Sequence, residues 1–208
     1  MTSAIEALER LREGNRRFAS DFRANHETQT SQERRRELVA GQEPFAIILG
    51  CSDSRVPAEI IFDQGLGDLF VIRVAGNIVA PSQIGSVEFA ASQFSTRLVV
   101  VLGHSGCGAV LATMEVLREP GDSRSRNLRS IVDRIRPAVE PLLASESGQD
   151  PDVLTEKAVR ANIQMSANHL RNGSKILEEL IKGEGLLVVG AEYCLDTGLV
   201  DFFEGVPR

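Results

Sequence analysis

The chain has no tryptophan, a single tyrosine, three histidines and three cysteines among its 208 residues. An odd number of thiols, in a chain long enough to bury a full hydrophobic core, argues against a disulfide framework. It suits a reducing compartment and leaves the thiols free for metal or nucleophilic work. A basic excess is also missing. With 23 Lys and Arg against 29 Asp and Glu the net charge is -6, so there is no electrostatic footprint for nucleic acid or an anionic membrane. No apolar run is long enough to span a bilayer, and the opening MTSAIEALERLREGNRRF is broken by charge every few residues, unlike the core of a signal peptide. Linkers, repeats and low-complexity tracts are absent as well. The expectation is one cytoplasmic domain over 1–208, with small soluble partners, no nucleic acid and no membrane.

What is present reads as an α/β fold. Ile5, Leu8, Leu11 and Phe18 recur at helical spacing among charges, and Thr30 to Glu33 (TSQE) has the form of a capping box opening a second helix that stops near Gly41. Residues 1–42 are thus expected to form a helical arm and 43–208 an α/β core. Apolar runs at 45–49, 69–75, 98–103 and 186–193 are separated by segments of helical period such as IGSVEFAASQF. Near-continuous Val, Ile and Leu predict a mostly parallel sheet covered by helices on both faces. Polar loops at 119–127 and 144–152 bracket a helix expected from about Leu128 to Leu143. The Asp and Gly of LDTG predict a tight turn between two C-terminal strands, an edge hairpin.

Two of the apolar runs end in chemistry. FAIIL runs into GCSDSRVP, with Cys51, Asp53 and Arg55 at alternate positions, and VVVL runs into GHSGCG, with His104 and Cys107. Ligands of open α/β sheets sit beyond the carboxyl ends of the strands, so both loops belong on one rim. Zinc takes thiolate at about 2.3 Å and imidazole at about 2.0–2.1 Å, and Cys51, His104 and Cys107 offer such a set. In extended chain, positions 51, 53 and 55 point the same way, which puts Asp53 and Arg55 beside the metal, where an Arg fork can orient a carboxylate. Three protein ligands leave one tetrahedral position open, the mark of a catalytic rather than a structural zinc.

These motifs, CSDSR at 51–55, GHSGCG at 103–108 and FVIRVAGN at 70–77, resemble the β-class carbonic anhydrases, and the likeness extends from about Arg16 to Phe203. The resemblance implies one Zn2+ per chain on Cys51, His104 and Cys107, and a catalytic dyad of Asp53 and Arg55, with Asp53 accepting a hydrogen bond from the metal's water. It implies reversible hydration of CO2 to HCO3− and a proton, with the water's pKa lowered to about 7, a magnitude borrowed from carbonic anhydrases in general. It also implies a substrate pocket at a dimer interface, with Gln42 contacting the substrate oxygen and Val56, Phe70 and Phe89 as apolar walls. The assembly would be a homodimer or a dimer-based tetramer. In part of the family the counterpart of Asp53 leaves its arginine at low pH and takes the metal's fourth position. GQEP with Gln42 and the lack of Trp resemble the branch without that gate, so Asp53 is expected to stay on Arg55 at neutral pH. Ile48 stands where some relatives carry the tryptophan of an inhibitory bicarbonate site, and no such site is expected here.

Other readings stay open on the residues alone. Cys51 with Arg55 could be part of a thiol phosphatase, although the spacing is short for its loop. A non-enzymatic zinc module would want Asp53 or Cys194 as a permanent fourth ligand, and a relative acting on CS2 or COS would keep the same metal set. Cys194 is otherwise a bystander, His26 an exposed residue and His169 a helix-surface residue.

Overall fold

Runs of Val, Ile and Leu without a polar face can form strands only where both faces are covered, and the two central strands meet that condition. In this computed structural model, which describes residues 2–22, 30–119, 125–145, 148 and 150–207, β1 (Ala46–Gly50) and β3 (Leu98–His104) are buried along their whole length. With β2 (Leu69–Arg73), β4 (Leu187–Tyr193) and β5 (Val200–Glu204) they form a five-stranded sheet of order β2-β1-β3-β4-β5. The first four strands are parallel and β5 returns antiparallel to β4. The expected edge hairpin closes through Gly198 N–H to the Cys194 carbonyl and Cys194 N–H to the Leu199 carbonyl, both 2.9 Å. Because the chain leaves β1 for β2 on one side and comes back for β3 on the other, the switch point lies between the carboxyl ends of β1 and β3. A doubly wound sheet has its ligand crevice there.

The helices are α1 (Ala4–Ala19), α2 (Gln32–Glu37), α3 (Ala58–Ile61), α4 (Pro81–Gln93), α5 (Gly108–Arg118), α6 (Arg126–Ser145), α7 (Pro151–Asn172) and α8 (Lys175–Gly183). Helix α6 runs two residues further at each end than the apolar spacing suggested. Helix α2 differs from the capping-box reading: Ser31, not Thr30, is the cap, its Oγ accepting from Arg34 N–H at 3.1 Å. A 3₁₀ turn, Leu38–Ala40, then ends the segment at Gly41 as expected. Among the described residues, no helix is long and apolar enough to cross a membrane. His26 lies outside the described residues.

Helix α1 starts from a true capping box. Ser3 Oγ accepts from Glu6 N–H, and the Glu6 carboxylate accepts from Ser3 N–H at 2.9 Å. Its buried stripe, Ala7, Leu8 and Leu11, packs on α3 and β3 of the same chain. Asn15 pins it there, donating to the carbonyls of Ile61 (3.3 Å) and Gly198 (2.9 Å) and accepting from Val200 N–H (2.8 Å). The N-terminal helix thus finds its place against α3, β3 and the C-terminal hairpin.

Candidate metal centre

The ligand crevice collects three residues from two strand ends. Cys51 follows β1 directly, His104 is the last residue of β3, and Cys107 is the N-cap of α5. The turn between His104 and Cys107 needs Gly106 at φ +63. It is fastened to β4 and its hairpin by Ser105 N–H to the Tyr193 carbonyl (3.0 Å) and Leu195 N–H to Ser105 Oγ (3.0 Å). The thiols of Cys51 and Cys107 and a ring nitrogen of His104 lie within 4.8 Å of one another, and all three residues are buried.

Whether a zinc ion fits is answered by the imidazole. His104 Nδ1 is 3.0 Å from the Ser105 carbonyl, a contact that assigns the proton to Nδ1 and leaves the Nε2 lone pair free. Nε2 is buried without a hydrogen-bond partner, and a buried acceptor left bare costs about 1–3 kcal/mol. A cation held jointly with two thiolates satisfies it, and soft sulfur with imidazole is a zinc donor set. The thiols are matched to that use. The hydrogen bond from Cys107 pulls the Cys51 thiol down to about 4 against its burial, with His104 assisting. The same bond, together with burial, pushes the Cys107 thiol up, so the pair favours ionisation at Cys51, and a metal bound by both sulfurs would displace the Cys107 proton.

Asp53 and Arg55 meet beside this group, but not through an extended strand. Strand β1 stops at Gly50 and the chain turns, Val56 N–H donating to the Asp53 carbonyl at 3.1 Å. Inside that turn Asp53 Oδ1 accepts from Arg55 N–H and Nε–H, both 2.9 Å, and Oδ2 accepts from Nη2 at 2.7 Å. The guanidinium fork holds the Asp53 carboxyl well below the usual carboxylate range. Oδ2 is also 3.8 Å from His104 Nε2, so the carboxylate borders the side of the thiol–imidazole group left free by protein ligands.

Sequence reasoning passed over the residues that hold this loop. Arg73, in register with Gly50 on β2, donates from Nε to the Cys51 carbonyl (2.9 Å) and from Nη2 to the Asp53 carbonyl (2.5 Å). Gly76 N–H donates to Cys51 Sγ at 3.4 Å, and Asn162 of α7 donates to the Gly76 carbonyl at 2.9 Å. The bend at Gly76, φ +70 within the Ala75–Asn77 turn, was a visible signal in RVAGN; the reach of Asn162 across 86 positions was not. Of the expected pocket residues, Val56 is buried beside the dyad. Phe70 pairs with Ile47, about 13 Å along the strand from the level of Cys51. It clusters with Phe89 and Phe94 at centroid distances of 6.2 and 6.0 Å. Phe89 is exposed, and so is Gln42, which precedes β1 at the end of that strand opposite the thiols. Within one chain these three do not reach the metal group.

Comparison with known proteins gives the decisive observation. The family profile described as carbonic anhydrase matches residues 46–200, a span that contains every residue of the thiol–imidazole group and the dyad. This chain belongs to the β-class carbonic anhydrases. Carbonic anhydrase 2 of Mycobacterium tuberculosis is 40% identical to it over 198 residues, covering 95% of this chain and 91% of that protein. Among solved structures, the β-carbonic anhydrase CafA of Aspergillus fumigatus superposes with a TM-score of 0.75 at 26% identity, covering 85% of this chain and 83% of that one. A tetrameric β-carbonic anhydrase of Sordaria macrospora gives 0.69 at 27% identity, with 81% and 84% covered. The family's cofactor is zinc, and the donor set described above is a zinc donor set.

Proposed function

We propose that the chain catalyses CO2 + H2O ⇌ HCO3− + H+ at one zinc held by Cys51, His104 and Cys107, with Asp53 and Arg55 as the catalytic dyad. The observation that carries this reading is the convergence of two thiols and an orphaned imidazole nitrogen beside a carboxylate locked onto an arginine. Zinc bound there supplies Lewis acidity, bringing a water's pKa to about 7, a value belonging to carbonic anhydrases in general rather than worked out from this site.

The chain's own part follows from hydrogen bonding. Held ionised, Asp53 can only accept, so it takes one O–H of the attacking water and leaves an oxygen lone pair for the carbon of CO2. Arg55 occupies both carboxylate oxygens, which would keep Asp53 from becoming a further ligand of a zinc ion held by Cys51, His104 and Cys107. With its pKa far below neutral, Asp53 does not keep the product proton, which passes to solvent. Arg73 and Gly76 hold the Cys51–Asp53 backbone against the end of β2, so the dyad and the thiol keep their separation.

We further propose that residues 1–208 act as one domain with 1–42 as its arm, that the enzyme works in the cytoplasm, and that it is a homodimer or a dimer-based tetramer. Support for assembly comes from the outer strand. Phe70, Val71 and Ile72 on the β2 edge are only half-buried, and Phe89, stacked on Phe70, is 53% exposed. Gln42, Phe70 and Phe89 then serve as pocket residues by reaching a partner's metal group, since they do not reach their own.

Stopped-flow CO2 hydration on protein carrying one zinc per chain tests the reaction. Expected is a kcat/KM that rises with pH as a single ionisation near about 7. A zinc-loaded protein that leaves CO2 at the buffer rate, or turns over only CS2 or COS, overturns the assignment.

A further inference from the structure

A second concave site lies away from the metal, where the first turn of α4 meets α6 and α7. The cavity measures about 430 Å³, within the size range of small-molecule sites. Its walls are apolar, with Val79, Ile84 and Met165, and its polar groups are Arg134, Ser166 and His169; none of its lining residues is acidic. In a chain with 29 carboxylates, an acid-free lining around a guanidinium favours a negative ligand.

Two lining side chains and the helix start beside them have hydrogen-bonding capacity that the described residues do not use. Ser166 is 5% exposed as a residue and lines the cavity; no hydrogen bond of its hydroxyl is found among the described residues, and the oxygen is open to the water of the cavity. Arg134 uses Nη1 on the Ser130 carbonyl (2.7 Å) and hydroxyl (2.8 Å) and meets no carboxylate within 4.0 Å among the described residues, so the rest of its fork is free. Helix α4 starts at Pro81 after an N-cap, Ala80, that has no side chain to cap it. The amides of Gln83 and Ile84 both turn back to the Ala80 carbonyl, leaving that of Ser82 unused at the positive end of a 13-residue helix.

We propose that this cavity binds a small organic carboxylate, its head on Arg134, Ser166 and the start of α4, its apolar body against Val79, Ile84 and Met165. A bare inorganic anion would leave the apolar wall wet, and a neutral apolar compound would leave Arg134 and Ser166 unsatisfied. The site shares no lining residue with the metal centre, but it is mechanically close to it. Ser166 is one turn beyond Asn162, the donor to the Gly76 carbonyl, and Val79 is three residues beyond Gly76 itself.

The test is an NMR titration of the full-length, zinc-loaded enzyme with benzoate, following the methyl groups of Val79, Ile84 and Met165, with inorganic phosphate and benzyl alcohol as comparison ligands. Saturable benzoate shifts at those methyls are expected. Binding should be at least about tenfold weaker in Arg134→Gln and in Ser166→Ala, and at least tenfold weaker for phosphate and benzyl alcohol. The small Ser166→Ala change guards against a folding defect in the arginine variant, and neither residue belongs to the catalytic machinery. Shifts confined to the surroundings of Cys51, His104 and Cys107, equal affinity in both variants, or phosphate or benzyl alcohol binding as tightly as benzoate would each overturn the proposal.

Discussion

Adding one methyl group at Gly76 tests the scaffold of the metal loop. Gly76 sits at φ +70, and a Cβ there would stand 2.7 Å from Ile135 Cδ1 and 3.0 Å from Ala109 Cβ. The left-handed conformation costs a non-glycine residue about 1–2 kcal/mol. Overpacking against a fully buried Ile135 and a β-carbon that cannot rotate away adds about 1–3 kcal/mol. Together that is about 2–5 kcal/mol, and at about 2–4 °C per kcal/mol for a chain of this size the melting temperature of Gly76→Ala should fall by about 4–20 °C. Gly103→Ala is the control: its Cβ would press only on the Ile163 side chain, at 2.5 Å, without a positive φ, so only the overpacking part applies. Thermal unfolding followed by circular dichroism, together with zinc content per chain, measures both. Because the Gly76 amide is a donor to Cys51 Sγ, zinc retention should fall in Gly76→Ala more than in Gly103→Ala. A Gly76→Ala protein melting within 1 °C of its parent with full zinc would refute the reasoning.

Cys107→Ser replaces a thiolate with a poor zinc donor, so zinc content and CO2 hydration should both drop by more than about tenfold; a fully loaded, active variant would sink the ligand assignment. Arg55→Gln removes the Nε and Nη2 bonds to Asp53 but keeps the backbone one. Freed 3.8 Å from His104 Nε2, the carboxylate should move onto the metal and lower kcat/KM by about 10–100-fold, and a crystal structure of the variant with Asp53 still turned away would contradict this. Asp53 has a depressed folded pKa, so its contribution to stability is present above the unfolded value of about 3.9 and is lost only as pH falls through the lower folded value. Its carboxyl carbon should therefore remain ionised at pH 4 in an NMR titration, and a midpoint near 4 would show that Arg55 does not hold it.

The central strands and the metal group were legible for one reason: β1 and β3 are apolar throughout and end abruptly in Cys, Asp, Arg and His. That contrast is local, and strand-end placement in a parallel sheet is nearly forced. The geometry of the dyad was less legible. Alternation along a strand put Asp53 and Arg55 together, whereas the pair is made by a turn whose backbone bond from Val56 has no side-chain signature. Arg73 and Asn162 act through backbone carbonyls on distant segments; Arg73 stands in the quoted FVIRVAGN motif, which did not reveal that role, and nothing around Asn162 marks it. Helix α1 was legible as a helix but not in its docking, because the groups that receive Asn15 are backbone groups of residues 61, 198 and 200. Ile5 matched the periodicity yet is half exposed, since the buried stripe passes through Ala4, Ala7 and Leu8 instead.

The Asn15 clamp also orders events during synthesis. Its bonds to Gly198 and Val200 span 183 and 185 positions, so these two form only after nearly the whole sheet has been made, whereas the bond to Ile61 and the packing on α3 are available far earlier. Closing so long a loop is entropically slow and comes after local structure has formed. Until then α1 is held through Ile61 and α3 alone, and it gains the rest of its cover when β3 forms. The clamp is therefore completed late, when the C-terminal hairpin reaches Asn15.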